Sequence, residues 1–236
     1  MIDTAYMHRI AAAEDIELSP AQLQQLDTYA AFLVAYNEKV NLTAITGAEE
    51  IAQRHFLDSL LFCKLLPTGT ALIDIGTGAG FPGMVAKIFD PSLQLTLLDS
   101  LQKRLVFLQQ LAEKLGFGDE VQLVHARAEE AGRDRMYREQ YPCATARAVA
   151  NLAVLCEYCL PYVQVGGTFY ALKGPDGEQE LAQAQRAITL LGGQVQEVRH
   201  CALPDDSRRT IIAVKKISQT PTKYPRNGGK IKKSPL

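Results

Sequence analysis

The spacing of apolar positions changes along the chain, and the changes divide it. Leu23, Leu26, Ala30, Leu33 and Val34 recur at intervals of three and four, the apolar face of a helix. Ser19 stands where its N-cap belongs and Pro20 where the first turn tolerates proline. A second helix fits "AEEIAQRHFLDSLLFCKLL", and "PTGT" ends it. From residue 71 short apolar runs replace the helical period. "ALIDIG", "LQLTLLDS", "EVQLVHA", a weaker stretch in "YPCATARAV", and "GTFYALKG" are predicted strands. "FPGMVAKIF", "LQKRLVFLQQLAEKLG", "NLAVLCEYCLPYV" and "EQELAQAQRAITLLGG" are predicted helices. "QVQEVRHCAL" and "RRTIIAVKKI" are two strands with no helix between them.

Strands alternating with helices give an α/β fold, a parallel sheet covered on both faces. Two strands joined directly pair antiparallel, because a parallel pair needs a long crossover. The expected sheet therefore has about seven strands and an antiparallel last pair. Residues 1–68 are expected to form an N-terminal helical extension, 69–217 the sheet domain and 218–236 a basic tail. That tail, rich in Pro, Lys and Gly, is expected to be extended or disordered until bound.

Composition adds three constraints. With 236 residues, 47% hydrophobic and 22% charged, the chain can bury one sizeable core. No apolar run is long enough for a membrane span, and no basic-then-apolar leader opens the chain. Five cysteines without framework spacing suggest reduced thiols and a cytoplasmic location. Cys156 and Cys159 form a C-x-x-C with no second pair, inside an apolar helical pattern, and are assigned to packing. The net charge of −1 conceals an asymmetry. Nine of the 25 basic residues and none of the 26 acids fall between Ser207 and Leu236. An acidic body with a basic end suits a polyanionic partner, or a merely solubilising tail.

"LIDIGTGAGFPG", residues 72–83, carries the candidate chemistry. Gly78, Gly80 and Gly83 fit the G-x-G-x-x-G of a dinucleotide site; Asp74, Gly76, Gly78 and Gly80 fit the D-x-G-x-G-x-G of an S-adenosylmethionine site. Asp99, at the end of the next strand, can accept ribose hydroxyls in either case. Three features favour S-adenosylmethionine. Asp74 would repel a pyrophosphate but not a sulfonium cation. The sheet closes on an antiparallel pair. No second domain remains to hold a hydride acceptor. A nicotinamide-dependent oxidoreductase and a non-catalytic binding protein stay open as alternatives on these residues.

Longer stretches are more specific. "YNEKVNLTAI", "RHFLDSL", "DIGTGAGFPG", "LLDSLQKRLVFL", "ARAVANL", "YALKG" and "TPTKYPRNGGKIKKSPL" resemble the bacterial small-subunit ribosomal RNA guanine-N7 methyltransferases, the glucose-inhibited division protein B family. The resemblance implies a Rossmann-like S-adenosylmethionine-dependent methyltransferase fold and methylation of N7 of a guanine in 16S ribosomal RNA. It implies 16S RNA or the small ribosomal subunit as partner. On the residues themselves no metal and no membrane are expected, and monomer is the default because no long exposed apolar heptad demands a dimer. The resemblance also implies a cofactor pocket. Gly76 and Gly78 would lie under the methionine part, Phe81 beside it, Asp99 at the ribose, Ala128 and Glu129 at the adenine edge, and Arg147 beside the floor. Family members often carry an acid near the start of the fourth strand; here Pro142 and Cys143 are expected to leave that strand's mouth without a carboxylate.

Guanine N7 offers an in-plane lone pair and no proton, so attack on a methyl sulfonium needs alignment rather than a general base. His55 and Asp58, three apart on one helix, are candidates to close over the cofactor or touch the base, with a structural tie to the sheet as the default role. Arg147 would be costly to bury unpaired and is a third candidate. Arg104, Lys173 and Arg209 are candidate RNA contacts. Lys103 and Arg104 begin a helix, where cations are disfavoured, so an anionic neighbour is expected. Asn41 and Thr43 are expected to cap or turn. N7 faces the deep, narrow major groove of A-form RNA, so the target guanine should be unpaired or distorted. Deleting 218–236 is expected to weaken RNA binding and flatten its salt dependence while sparing cofactor binding.

Overall fold

One seven-stranded sheet organises the chain, in the order β3-β2-β1-β4-β5-β7-β6. The computed structural model describes residues 1–236. Helices α1 (Thr4–Ala12), α2 (Pro20–Asn37) and α3 (Ala48–Glu50) come first. α3 runs into a π-helical turn (Ile51–Leu57) and on into α4 (Asp58–Cys63). Then follow β1 (Ala71–Ile75), α5 (Gly83–Phe89), β2 (Gln94–Asp99), α6 (Gln102–Lys114) and β3 (Val121–His125). The second half holds α7 (Ala128–Ala131), β4 (Tyr141–Arg147), α8 (Leu152–Cys159), β5 (Val163–Lys173), α9 (Gly177–Leu190), β6 (Gly193–Ala202), β7 (Arg208–Lys216) and α10 (Gly228–Lys233).

The first five strands are parallel, and β7 pairs antiparallel with both β5 and β6. Each predicted strand is present, including the antiparallel last pair. The period of two sends alternate residues into two different cores. Leu72, Tyr170, Leu172, Ile211 and Ala213 face the layer built with α2, α4, α5 and α6. Ile73, Ile75, Phe169, Ala171, Ile212 and Val214 face the layer built with α8, α9 and α10. The N-terminal helices thus share one continuous apolar layer with the sheet.

Parallel alignment puts the carboxyl ends of β1, β2 and β4 at one edge, where Asp74, Asp99 and Arg147 converge. It also corrects one expectation. Pro142 and Cys143 lie at the amino end of β4, with Cys143 opposite Leu72 at the start of β1, so they stand away from the mouth. A residue early in a parallel strand is on the sheet's other edge.

The N-cap of α2 is stronger than Ser19 alone. Ser19 and Gln22 form a reciprocal capping box, and Gln22 Nε2 also donates to the Ile88 and Phe89 carbonyls at the end of α5. α1 and α7 were not singled out by the pattern. The largest departure is the tail. Residues 218–236 are not extended or disordered: they fold back over the body and end in α10. Tyr224 and Ile231 are buried, and Arg226 forms an ion pair with the fully buried Glu157 on α8. Two apolar anchors and one buried ion pair outweigh the Pro, Lys and Gly content that suggested disorder.

Candidate cofactor and acceptor sites

Two carboxylates brace the turn between β1 and α5. Asp74 Oδ2 accepts from Thr77 Oγ1 (2.8 Å) and from the Gly83 amide (3.0 Å). Asp99 Oδ2 accepts from the Gly78 amide (3.0 Å), and its Oδ1 accepts from the Leu101 amide (2.9 Å). The glycines divide into two kinds. Gly80, at φ +97°, has no room for a side chain, because a Cβ would meet Tyr29, Leu108 and Met84. Gly78, at φ +62°, has only a backbone oxygen at 3.9 Å, so its upper side is open to a ligand.

Asp74 is fully buried, and burial lifts its carboxyl to about 7 despite the two hydrogen bonds it accepts. Its Oδ1 has no partner. The one other buried side-chain nitrogen or oxygen without a partner is Nε of Arg104. Arg104 is also the cation that α6 carries at its start, and Asp99 is the expected anionic neighbour, at 3.1 Å. Both orphaned atoms therefore belong to this one corner of the molecule, where buried polar groups are otherwise satisfied.

A cavity of about 890 Å³ opens here. Its lining includes Gly76, Asp99, Arg104, Ala128, Glu129 and Tyr158. Ala128 begins α7, and its carbonyl accepts from Tyr162 Oη at 2.6 Å, which fixes the turn that presents Glu129. Gly78, Phe81 and Arg147 stand outside this lining. Val149 comes down on Gly76, so that a Cβ there would overlap it.

A second cavity, of about 590 Å³, adjoins the first, and Ala148 alone lines both. Ala148 sits in the left-handed region at φ +56°. This second cavity is lined by His55, Asp58, Arg147, Lys173, Asp176 and Arg209 among others. Arg147 is its organiser. One Nη donates to Asp58 Oδ2 (2.8 Å) and to the Arg54 carbonyl (3.1 Å), the other reaches His55 Nδ1 (3.2 Å), and the guanidinium lies 4.9 Å from the Phe81 ring centre. Arg209 approaches the other oxygen of Asp58 at 3.2 Å. A guanidinium only donates, so His55 Nδ1 accepts and Nε2–H donates to Thr43 Oγ1 (3.0 Å). Burial, reinforced by Arg147, depresses the imidazole to about 3, so it is neutral at physiological pH.

His55 and Asp58 therefore do not form an acid–base dyad with each other; each is tied to Arg147. Along the π-helical turn the Arg54 carbonyl accepts from Arg147, and the His55 carbonyl accepts from Ser59 Oγ (2.6 Å) as well as from the Asp58 amide. Phe81 stacks on His55 (4.3 Å) and on Tyr29 (5.0 Å), and Tyr29 Oη donates to the Ala79 carbonyl. Tyr29 supports the glycine turn and was missed, because among helical residues it resembles any core aromatic. Thr43, given a turn role, is the partner of His55 as well as of the Ile45 amide. Lys173 lines the second cavity and is held by Glu180 (2.8 Å) and the Ala150 carbonyl (2.8 Å), which ties the loop before α8 to the end of β5. The C-x-x-C thiols are fully buried on α8, with burial pushing both up. No cluster of three His, Cys, Asp or Glu is placed to hold a metal ion.

A family model described as "GidB: rRNA small subunit methyltransferase G" matches residues 22–212. The chain belongs to this family. A relative named ribosomal RNA small subunit methyltransferase G from Alkaliphilus metalliredigens is 51% identical, over 91% of each chain. One of the same name from Lactobacillus acidophilus is 48% identical, over 94% of each. Among solved structures, a 16S rRNA (adenine(1408)-N(1))-methyltransferase from Catenulisporales acidiphilia, determined with S-adenosylmethionine, matches with a TM-score of 0.53 at 13% identity. That match covers 70% of this chain and 92% of the other, and it shows the shared fold. The family match runs from within α2 to within β7, so both cavities lie within it apart from the wall supplied by residues 228–235. No helix is long and apolar enough to cross a membrane.

Proposed function

We propose that the chain transfers the methyl group of S-adenosylmethionine to N7 of a guanine in small-subunit ribosomal RNA. The observation that carries this is the meeting of two cavities at Ala148, on the carboxyl edge of a methyltransferase-type sheet. The residues of the larger cavity suit the cofactor. Asp74 beneath the glycine turn and Arg104 on the cavity wall carry the two orphaned polar atoms, and the wall combines acids (Asp99, Glu129, Glu130) with bases (Arg104, Arg127, Lys232), which suits a ligand that carries both signs of charge. In this reading Gly76 and Gly78 border the methionine part, Asp99 holds the ribose with Arg104 beside it, and Ala128 and Glu129 meet the adenine. Arg147 backs the site from the second cavity, and Phe81 packs against Arg147 and His55. The cofactor supplies an electrophilic methyl group.

The smaller cavity is the acceptor pocket. His55 is neutral but has both ring nitrogens engaged, and it has no free position from which to take a proton. This suits an acceptor atom that carries none. Arg147 and Arg209 clamp Asp58 and hold the pocket's shape, so alignment of N7 with the methyl group is the work these residues do. The relatives' shared name assigns them small-subunit RNA.

Differential scanning of the purified chain with S-adenosylmethionine, S-adenosylhomocysteine or NAD tests the cofactor half. Both adenosyl ligands should raise Tm, as binding to the native state requires, and NAD should leave it unchanged. A shift with NAD alone contradicts the reading.

A further inference from the structure

The basic C-terminal segment reaches the larger cavity. Gly228, Gly229, Lys232 and Pro235 line it together with the Ala128–Glu129 turn and Tyr158 of α8. We propose that residues 226–236 are a fixed wall of the cofactor site, so that this segment binds S-adenosylmethionine and not only RNA. The inference rests on the cofactor reading above.

The segment is fastened at several points. Arg226 meets buried Glu157 through Nε (2.8 Å) and Nη2 (2.6 Å), and its own amide donates to the same carboxylate (2.8 Å). Arg138 donates to the Thr220 (2.7 Å) and Tyr224 (2.9 Å) carbonyls. Ile231 is fully buried and seats α10 against α8. These contacts all precede or underlie the lining residues, so they hold the wall without using it. The closest approach is at Gly228, where a Cβ would overlap the Glu129 carboxylate. Gly228 thus lets α10 press on the side chain assigned to the adenine edge, and no positive φ accounts for a glycine there.

The short helix has separate faces. Ile231 points inward, Lys232 borders the cavity, and Lys230 and Lys233 are exposed and outside its lining. The wall and any phosphate contacts are therefore separable by mutation. The expectation that removing 218–236 spares cofactor binding is replaced by the opposite one.

Calorimetric titration of S-adenosylmethionine into four proteins tests this: the intact chain, a chain ending at Arg226, Gly228→Val, and Lys230→Ala with Lys233→Ala. Gly228→Val leaves the anchoring residues unchanged and forces α10 and the Glu129 carboxylate apart, so it carries the test if the shortened chain does not fold, with exchange in α10 showing whether the helix itself meets the cofactor. We expect Kd to rise at least tenfold in the first two variants and to stay within twofold in the double lysine variant. Hydrogen exchange at residues 229–233 should slow when the cofactor binds the intact chain. Unchanged affinity in Gly228→Val, with exchange in α10 indifferent to the cofactor, overturns the wall. An intact chain that fails to bind S-adenosylmethionine overturns the cofactor reading itself, before any variant is compared.

Discussion

Asp74 and His55 oppose each other in their response to pH. Burial raises the Asp74 carboxyl from 3.8 to about 7, so its contribution to stability is present below about pH 4 and is lost as pH rises through 7. His55 is depressed from 6.5 to about 3, so its contribution is present above 6.5 and is lost as pH falls toward 3. Asp74→Asn keeps an acceptor for Thr77 and Gly83 and removes the buried charge. It should raise the Tm of the cofactor-free chain at pH 8, by about 2–4 °C for each kcal/mol relieved in a chain of this size. It should also flatten the fall of Tm between about pH 4 and 7. A calorimetric profile that keeps the wild-type slope contradicts the assignment. Asp74 and Asp99 were legible in the sequence, since Asp74 stands just before the glycine turn and Asp99 ends the next strand. The Arg147 cluster was not. His55, Asp58, Arg147 and Arg209 come from three separate stretches, and only the sheet and the π-helical turn bring them together.

The glycine turn combines packing and ligand approach, and the structure separates them by position. Gly80→Ala places a methyl group against Tyr29 and Leu108 at a left-handed φ, and should cost about 2–4 kcal/mol of stability. Gly78→Ala meets open space and should cost only about 1 kcal/mol, from its backbone conformation. Cofactor affinity should fall for Gly78→Ala in a chain that is still folded. Urea unfolding and cofactor titration of both variants check this, and equal stability losses contradict it. The motif spacing named these glycines, but not which does what. That depends on Tyr29, fifty residues upstream. The C-terminal segment was misread for a similar reason. Lysine, proline and glycine content is local, whereas the partner of Arg226 is 69 residues away. A composition window registers the first and not the second.

Charge at the scale of the whole molecule is less lopsided than the letters suggest. Of the nine basic residues after Ser207, Arg209, Lys216 and Arg226 are committed to Asp58, Glu139 and Glu157. Lys215 is half-buried and Lys232 borders the larger cavity, which leaves Arg208, Lys223, Lys230 and Lys233 exposed and able to meet phosphates. The strand count, the antiparallel last pair and the carboxyl-edge site were readable from the alternation of elements, because connections follow local rules, whereas the strand order was not. How the N-terminal helices and the C-terminal segment close the two cavities was not, because it is set by contacts between distant parts. The central claim concerns one atom. Labelled methyl transfer from S-adenosylmethionine to purified 16S RNA and to small subunits, both from cells lacking the enzyme, followed by nucleoside separation, addresses it most directly. The account predicts label in 7-methylguanosine and in no other nucleoside. Label in a different nucleoside, or none in either acceptor while the cofactor still binds, would contradict it.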